Sequence, residues 1–114
     1  MANDSTLVGA SILPQLVVKV GGHEVDRIDL RAELRVGRAE DNDLDLADPK
    51  VSRHHARVFK QGAVYMVEDL GSANGTRLNG TAVHLGESFP LRPGDHIWLG
   101  GCVLAYDVEI SGPR

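Results

Sequence analysis

The sequence holds a single cysteine, Cys102, in 114 residues. No internal disulfide can form, which fits a reducing compartment rather than a disulfide-stapled scaffold. Basic charge is not in excess, since 12 Lys and Arg stand against 16 Asp and Glu, a formal net charge of −4. General nucleic-acid binders are ordinarily basic, because phosphate contacts dominate their affinity. DNA and RNA are therefore not expected partners. No apolar stretch approaches the ~20 residues that a membrane-spanning helix needs. The first residues show no basic segment leading into an apolar one, as a secretory leader would. No membrane partner is expected, and the expected location is the cytoplasm. The five histidines lack ligand spacing. His54 and His55 are adjacent and face opposite sides of an extended chain, and His23, His84 and His96 stand apart. Neither metal nor cofactor is expected. The acidic run from Glu40 to Leu46 superficially resembles a calcium loop. Leucine stands where such a loop needs glycine, and Ser52 where it needs glutamate. Internal repeats, low-complexity segments and long windows with a helical period are also lacking.

What is present is punctuation. Hydrophobic residues make up 42% of the chain and charged residues 25%, ordinary values for one globular domain. A chain of this size buries roughly two-thirds of the surface its unfolded form exposes. Thirteen glycines and five prolines divide it into short apolar runs. Candidate strands fall at residues 15–20, 23–30, 33–37, 44–46, 55–60, 63–69, 76–78, 81–83, 88–91, 96–99 and 102–110. Gly21-Gly22, Gln61-Gly62, Asn79-Gly80 and Gly100-Gly101 suit two-residue hairpin turns, which need positive φ. Arg92-Pro93-Gly94-Asp95 suits a type II turn. The last strand is the clearest, with Cys102, Leu104, Tyr106, Val108 and Ile110 on one face. The expected fold class is all-β, an antiparallel β-sandwich of about eleven short strands. A tail is expected at 1–14, the domain at 15–110, and a C-terminal tail or linker at 111–114. Tyr65 and Trp98, each in an apolar strand, are expected in the core.

Three connections look over-specified for turns. They are Gly37-Arg38, the run Lys50-Val51-Ser52-Arg53-His54-His55, and the run from Leu70 to Gly80 that contains Asn74-Gly75-Thr76 and Leu78-Asn79-Gly80. Together they place arginines, a hydroxyl and an amide on loops, where a rigid sheet scaffold usually carries its binding residues. In this order and spacing the motifs resemble the forkhead-associated (FHA) domain, over about residues 15 to 110 and most densely from 34 to 80. The resemblance implies an eleven-strand sandwich whose loops at one end bind a phosphothreonine peptide.

A phosphothreonine carries about −1.5 to −2 charge and three strong acceptor oxygens. The planar donor fork of arginine matches them, which makes Arg38 the natural anchor. Ser52 can donate its hydroxyl, Arg53 its side chain or its amide, and Asn74 both donates and accepts, which suits peptide backbone. The resemblance carries phosphate and peptide contacts to Arg38, Ser52 and Asn74, and a neighbouring contact to Arg53. It gives His55 a buttressing role under the Ser52 loop. Gly37, Gly75 and Asn79 are expected to support the backbone path. Ala73 departs from the family pattern, which often has a hydroxyl there. Lys50 stands where it can favour an acidic residue three after the phosphothreonine, the position that usually sets family specificity.

The expected function is a phosphothreonine-dependent binding module in Ser/Thr kinase signalling, with a phosphorylated protein as partner. The alternative is a sandwich that assembles proteins without phosphate. Catalysis is not expected, because Ser52 and His55 lack an acidic residue to complete a hydrolytic constellation.

Overall fold

Period-2 alternation of aliphatic side chains sets the layers of the structure, a computed structural model that describes residues 11–111. Eleven strands form: β1 Ser11–Val20, β2 His23–Asp29, β3 Glu33–Gly37, β4 Leu44–Asp45, β5 Ala56–Gln61, β6 Val64–Asp69, β7 Thr76–Leu78, β8 Thr81–Val83, β9 Ser88–Pro90, β10 His96–Leu99 and β11 Cys102–Ser111. They make two sheets, one ordered β2-β1-β11-β10-β7-β8 and one ordered β4-β3-β5-β6-β9. Between the sheets lie Leu16, Val18, Leu34, Val36, Val58, Val67, Ile97, Leu99 and Leu104, all buried. Tyr65 and Tyr106 meet in this core with ring centroids 6.0 Å apart, tilted by 49°. The fold is the expected all-β sandwich.

Four details depart from the expectation, each for a local reason. β1 begins at Ser11 and not at Gln15, so residues 11–14 are strand and not tail. In an antiparallel ladder the N–H and C=O of one residue point to the same side. The Pro14 carbonyl accepts from the Leu30 amide at 2.9 Å, so the donor that proline lacks also faces that side, just past the end of β2. The ladder with β11 runs through Pro14 opposite Val108 undisturbed. At the other end β11 reaches Ser111, and the tails expected over residues 1–10 and 112–114 lie outside the described residues.

The second departure is that the sandwich is not wholly antiparallel, because β3 and β4 pair in parallel. Residues 38–43 return the chain to make that pairing. Asn42 holds the return, its side-chain amide donating to the Ala39 and Arg53 carbonyls at 2.8 Å each. Third, the β5–β6 turn is Gly62-Ala63, one residue later than expected, with Gln61 opposite Val64. Gly62 takes φ 65° at the first central position, where a type II′ turn places glycine. The Arg92–Asp95 turn forms as read, with the Asp95 amide donating to the Arg92 carbonyl at 2.9 Å and Gly94 at φ 95°.

The fourth departure is Trp98. Its neighbours Ile97 and Leu99 are 0% and 1% exposed, whereas Trp98 is 47% exposed. Alternation along β10 turns the indole onto the outer face, so only Tyr65 of the two aromatics is in the core. Deleting a buried leucine costs about 2–5 kcal/mol, while an outward side chain should cost less than about 1 kcal/mol. Urea denaturation should therefore show Leu104→Ala strongly destabilised and Trp98→Ala close to the parent. Equal losses would contradict the orientation of β10.

Candidate functional site

The strands deliver four connections to one end of the sandwich: residues 38–43, 46–55, 70–75 and 100–101. Backbone and short side chains lock these connections to each other. The Arg38 amide donates to the Ser52 carbonyl at 2.9 Å and the Ala39 amide to the Arg53 carbonyl at 3.1 Å. This approach needs glycine at 37, because a Cβ there would collide with the Arg53 carbonyl and lie 2.8 Å from the Asn42 amide nitrogen. Asp48 closes the next connection, accepting from the Lys50 amide and the Gly101 amide at 2.8 Å each. Those two amides hold the Asp48 carboxyl below its ordinary pKa.

His55 sits beneath the loops, fully buried. Its Nδ1 accepts from the Ser52 amide at 3.0 Å, and its Nε2 lies 2.9 Å from the Gly75 carbonyl. An amide can only donate and a carbonyl can only accept, which assigns the neutral ring with its proton on Nε2. One side chain thus ties the 46–55 connection to the 70–75 connection. Gly75 itself is at φ 90°. Asn79, at φ 56°, is farther off. It accepts from the His96 amide at 3.0 Å and donates to Asp95 at 3.2 Å, which fixes the β7–β8 turn against β10.

The 70–75 connection is wrapped around a residue that the motif reading passed over. Asp69 is 4% exposed and accepts from the Gly71 amide at 2.8 Å, the Ser72 amide at 3.0 Å, the Ser72 hydroxyl and the Thr76 hydroxyl at 2.6 Å. Burial pushes its pKa up, but the bonds from Ser72, Thr76 and Gly71 outweigh burial and hold the carboxyl below its usual value. A signal was present in the sequence, since Asp at a strand end before Gly-Ser is Asx-turn chemistry.

On this frame stand the residues proposed from the motifs. Arg38 is exposed, and its Nε donates to the Val51 carbonyl at 3.1 Å. That bond aims the side chain and leaves both terminal nitrogens open. Among the described residues, no carboxylate forms an ion pair with Arg38, Arg53 or Lys50. The Ser52 hydroxyl oxygen accepts from the Ala73 amide at 2.9 Å, so its own proton remains available. The main chain of Ala73 therefore serves the site although its side chain has no hydroxyl. Among the described residues, the Arg53 amide has no acceptor. Asn74 donates from Nδ2 to the Lys50 carbonyl at 2.9 Å, which leaves its Oδ1 outward. Arg38 and Arg53 line one shallow depression with Glu40 and Asp41. Asp41 is drawn aside by His54, at 3.0 and 3.1 Å, a bond that lowers the Asp41 pKa. Lys50 and Asn74 line a second groove nearby, with Arg77 and Trp98. The arrangement presents guanidinium, hydroxyl and amide donors at a loop surface, chemistry suited to a bound oxyanion. No group of three metal-ligating side chains occurs among the described residues.

Comparison with known proteins agrees with this fold. The family model of the FHA domain matches residues 34–100. FhaB of Mycolicibacterium smegmatis, an FHA domain-containing protein, is 42% identical over 91 residues, covering 79% of this chain and 57% of that protein. The solution structure of the FHA domain of an Arabidopsis thaliana hypothetical protein superposes with TM-score 0.80 at 32% identity, covering 91% of each chain. A structure from work on phosphothreonine-dependent FHA domain interactions superposes with TM-score 0.72 at 30% identity, covering 90% of this chain and 99% of that one. The chain spans between a fifth and three-fifths of the length of the curated relatives it matches.

Asp69→Asn should loosen the whole 70–75 connection, because an amide offers one acceptor oxygen and turns donors toward donors. Breaking bonds to a buried charge costs about 1.5–3 kcal/mol each, so a loss of at least ~2 kcal/mol in urea denaturation is expected. A carboxyl with a lowered folded pKa contributes stability that is complete above the unfolded value, about pH 4, and is lost as pH falls through the folded value. Asp69→Asn should flatten that acid limb. An unchanged limb would show that the carboxylate is not the anchor.

Proposed function

The chain belongs to the FHA-domain family, and on that premise we propose that it is a phosphothreonine-dependent protein-binding module acting downstream of a Ser/Thr kinase. The observation that carries the reading is Arg38 beside Ser52. Its guanidinium is held by the Val51 carbonyl with two nitrogens open, its amide bonds the Ser52 carbonyl, and the Ser52 hydroxyl oxygen is already satisfied. A phosphate seated there receives the guanidinium fork, the Ser52 proton and the Arg53 amide, while Asn74 grips peptide backbone. Such charge-assisted bonds contribute about 1.5–3 kcal/mol each. Three at the upper end of that range reach the about −8 kcal/mol of a micromolar complex. The similarity to the structure from work on phosphothreonine-dependent interactions supports the choice of phosphothreonine.

The same reading gives Lys50 the selection of an acidic residue three after the phosphothreonine. It assigns no catalytic step, because both nitrogens of His55 are committed to main chain and neither is left to move a proton. It places the module in the cytoplasm. The buried free thiol of Cys102, whose pKa burial raises, fits a reducing compartment, and no helix among the described residues is long and apolar enough to cross a membrane.

Fluorescence anisotropy with degenerate phosphothreonine, phosphoserine and unphosphorylated peptide pools tests the reading. Binding should need phosphothreonine, and Arg38→Ala should weaken it by about thirtyfold, the equivalent of ~2 kcal/mol. Lys50→Ala should remove a preference for an acidic third residue. Equal binding of the unphosphorylated pool would instead favour a phosphate-independent assembly role.

A further inference from the structure

Strand β2 ends the first sheet and β4 ends the second. A furrow runs along the open side of the sandwich, lined from both of these edges. Val18 and Leu46 are buried beneath it, while Val20 and Val25 stand 45% and 61% exposed on its wall. A bulge puts Val25 there. Val18 of β1 pairs with Asp26 of β2 and Lys19 pairs with Glu24, so Val25 is an extra residue without a partner in β1. Regular alternation would send two adjacent side chains to opposite faces. A bulge re-aims them, and Val25 and Asp26 both line the furrow.

The furrow carries charge of one sign. Asp26, Asp45 and Asp48 line it, and no lysine or arginine does. Among the described residues, none of the three forms an ion pair. Asp48 is fixed by the Lys50 and Gly101 amides at 2.8 Å each, and Asp26 accepts from the Arg27 amide at 2.7 Å. The exposed Asp45 carboxylate has no hydrogen-bond partner among the described residues. The site therefore joins exposed aliphatic surface to unneutralised carboxylates. Such a rim repels an anionic lipid surface or a nucleic-acid backbone. A second copy docked through the same face would set like charges against each other. A segment that carries both aliphatic side chains and cations matches both features.

We propose that this furrow is a second docking surface, independent of phosphate, for an extended segment of a protein partner that carries aliphatic residues beside lysine or arginine. The aliphatic side chains cover Val20 and Val25, and the cations neutralise Asp26 and Asp45. None of Arg38, Ser52, Arg53, Lys50 and Asn74 lines the furrow, so the surface stands apart from the proposed phosphate contacts and does not rest on them.

Three unphosphorylated, fluorescently labelled peptide pools test it by anisotropy. One mixes valine, isoleucine and leucine with lysine and arginine. In the second, glutamate replaces the cations, and in the third, serine replaces the aliphatic residues. The first pool should bind saturably, and each of the other two at least about tenfold more weakly. Val25→Lys should weaken the first pool by about tenfold, as loss of an interface anchor does, and Asp45→Asn by about threefold. Both side chains are exposed, so both variants should keep the parent urea midpoint. Arg38→Ala should bind the first pool as the parent does. Absence of saturable binding, equal binding of the glutamate or serine pool, or full binding by Val25→Lys overturns the surface. So does loss of binding in Arg38→Ala, which would place the peptide at the phosphate site. Sedimentation that shows a dimer abolished by Val25→Lys would give the furrow to a second copy and overturn it as well.

Discussion

The buried ring of His55 is the interaction on which the binding end depends. It follows His54 in a strand-entering segment, yet it reaches across to Gly75, and its two nitrogens satisfy two main-chain groups that have no other partner among the described residues. Buried polar groups left unmatched cost about 1–3 kcal/mol each. Any conformation that parts the two connections incurs that cost at the Ser52 amide and the Gly75 carbonyl together. Asp69 does within one connection what His55 does between two, gathering Gly71, Ser72 and Thr76 onto a single carboxylate. Asp48 repeats the device toward the β10–β11 turn. The loops at this end are long, but they are braced from within.

That bracing decides which groups are left over for a ligand. Ser52 has spent its amide on His55, its carbonyl on Arg38 and its hydroxyl oxygen on Ala73, so its hydroxyl proton is what remains. Arg38 has spent Nε on Val51, and its terminal nitrogens remain. Asn74 has spent its amide nitrogen on Lys50, and its oxygen remains. The structural bonds thus pre-orient the binding groups, which lowers the ordering cost of taking a ligand.

Much of this was legible in the residues. Turn chemistry at Gly21-Gly22, Asn79-Gly80, Arg92–Asp95 and Gly100-Gly101 divided the chain into the strands that form, and alternation in β11 named its inward face. The motif loops led to the connections that meet. What escaped the reading depended on direction and on distant partners. The strand character of residues 11–14 is hidden, because the side of the ladder that Pro14 faces is not visible in sequence. Trp98 looks like core because its strand is apolar, yet Ile97 and Leu99 on either side take the inward positions. Asp69 looked like an ordinary strand end, because four donors converge on it only after the chain has turned back. The parallel pairing of β4 rests on Asn42, a residue without a motif of its own.

The proposed phosphothreonine site rests on Arg38, Ser52 and Asn74, carried on loops that His55 joins. The most direct measurement is an amide nuclear magnetic resonance titration of the isotope-labelled protein with a phosphothreonine peptide pool. Saturable shifts centred on Ser52, Arg53 and the segment from Ala73 to Gly75 are expected, with the core strands unmoved. Shifts centred elsewhere on the sandwich, with those amides silent while the peptide binds, would contradict it.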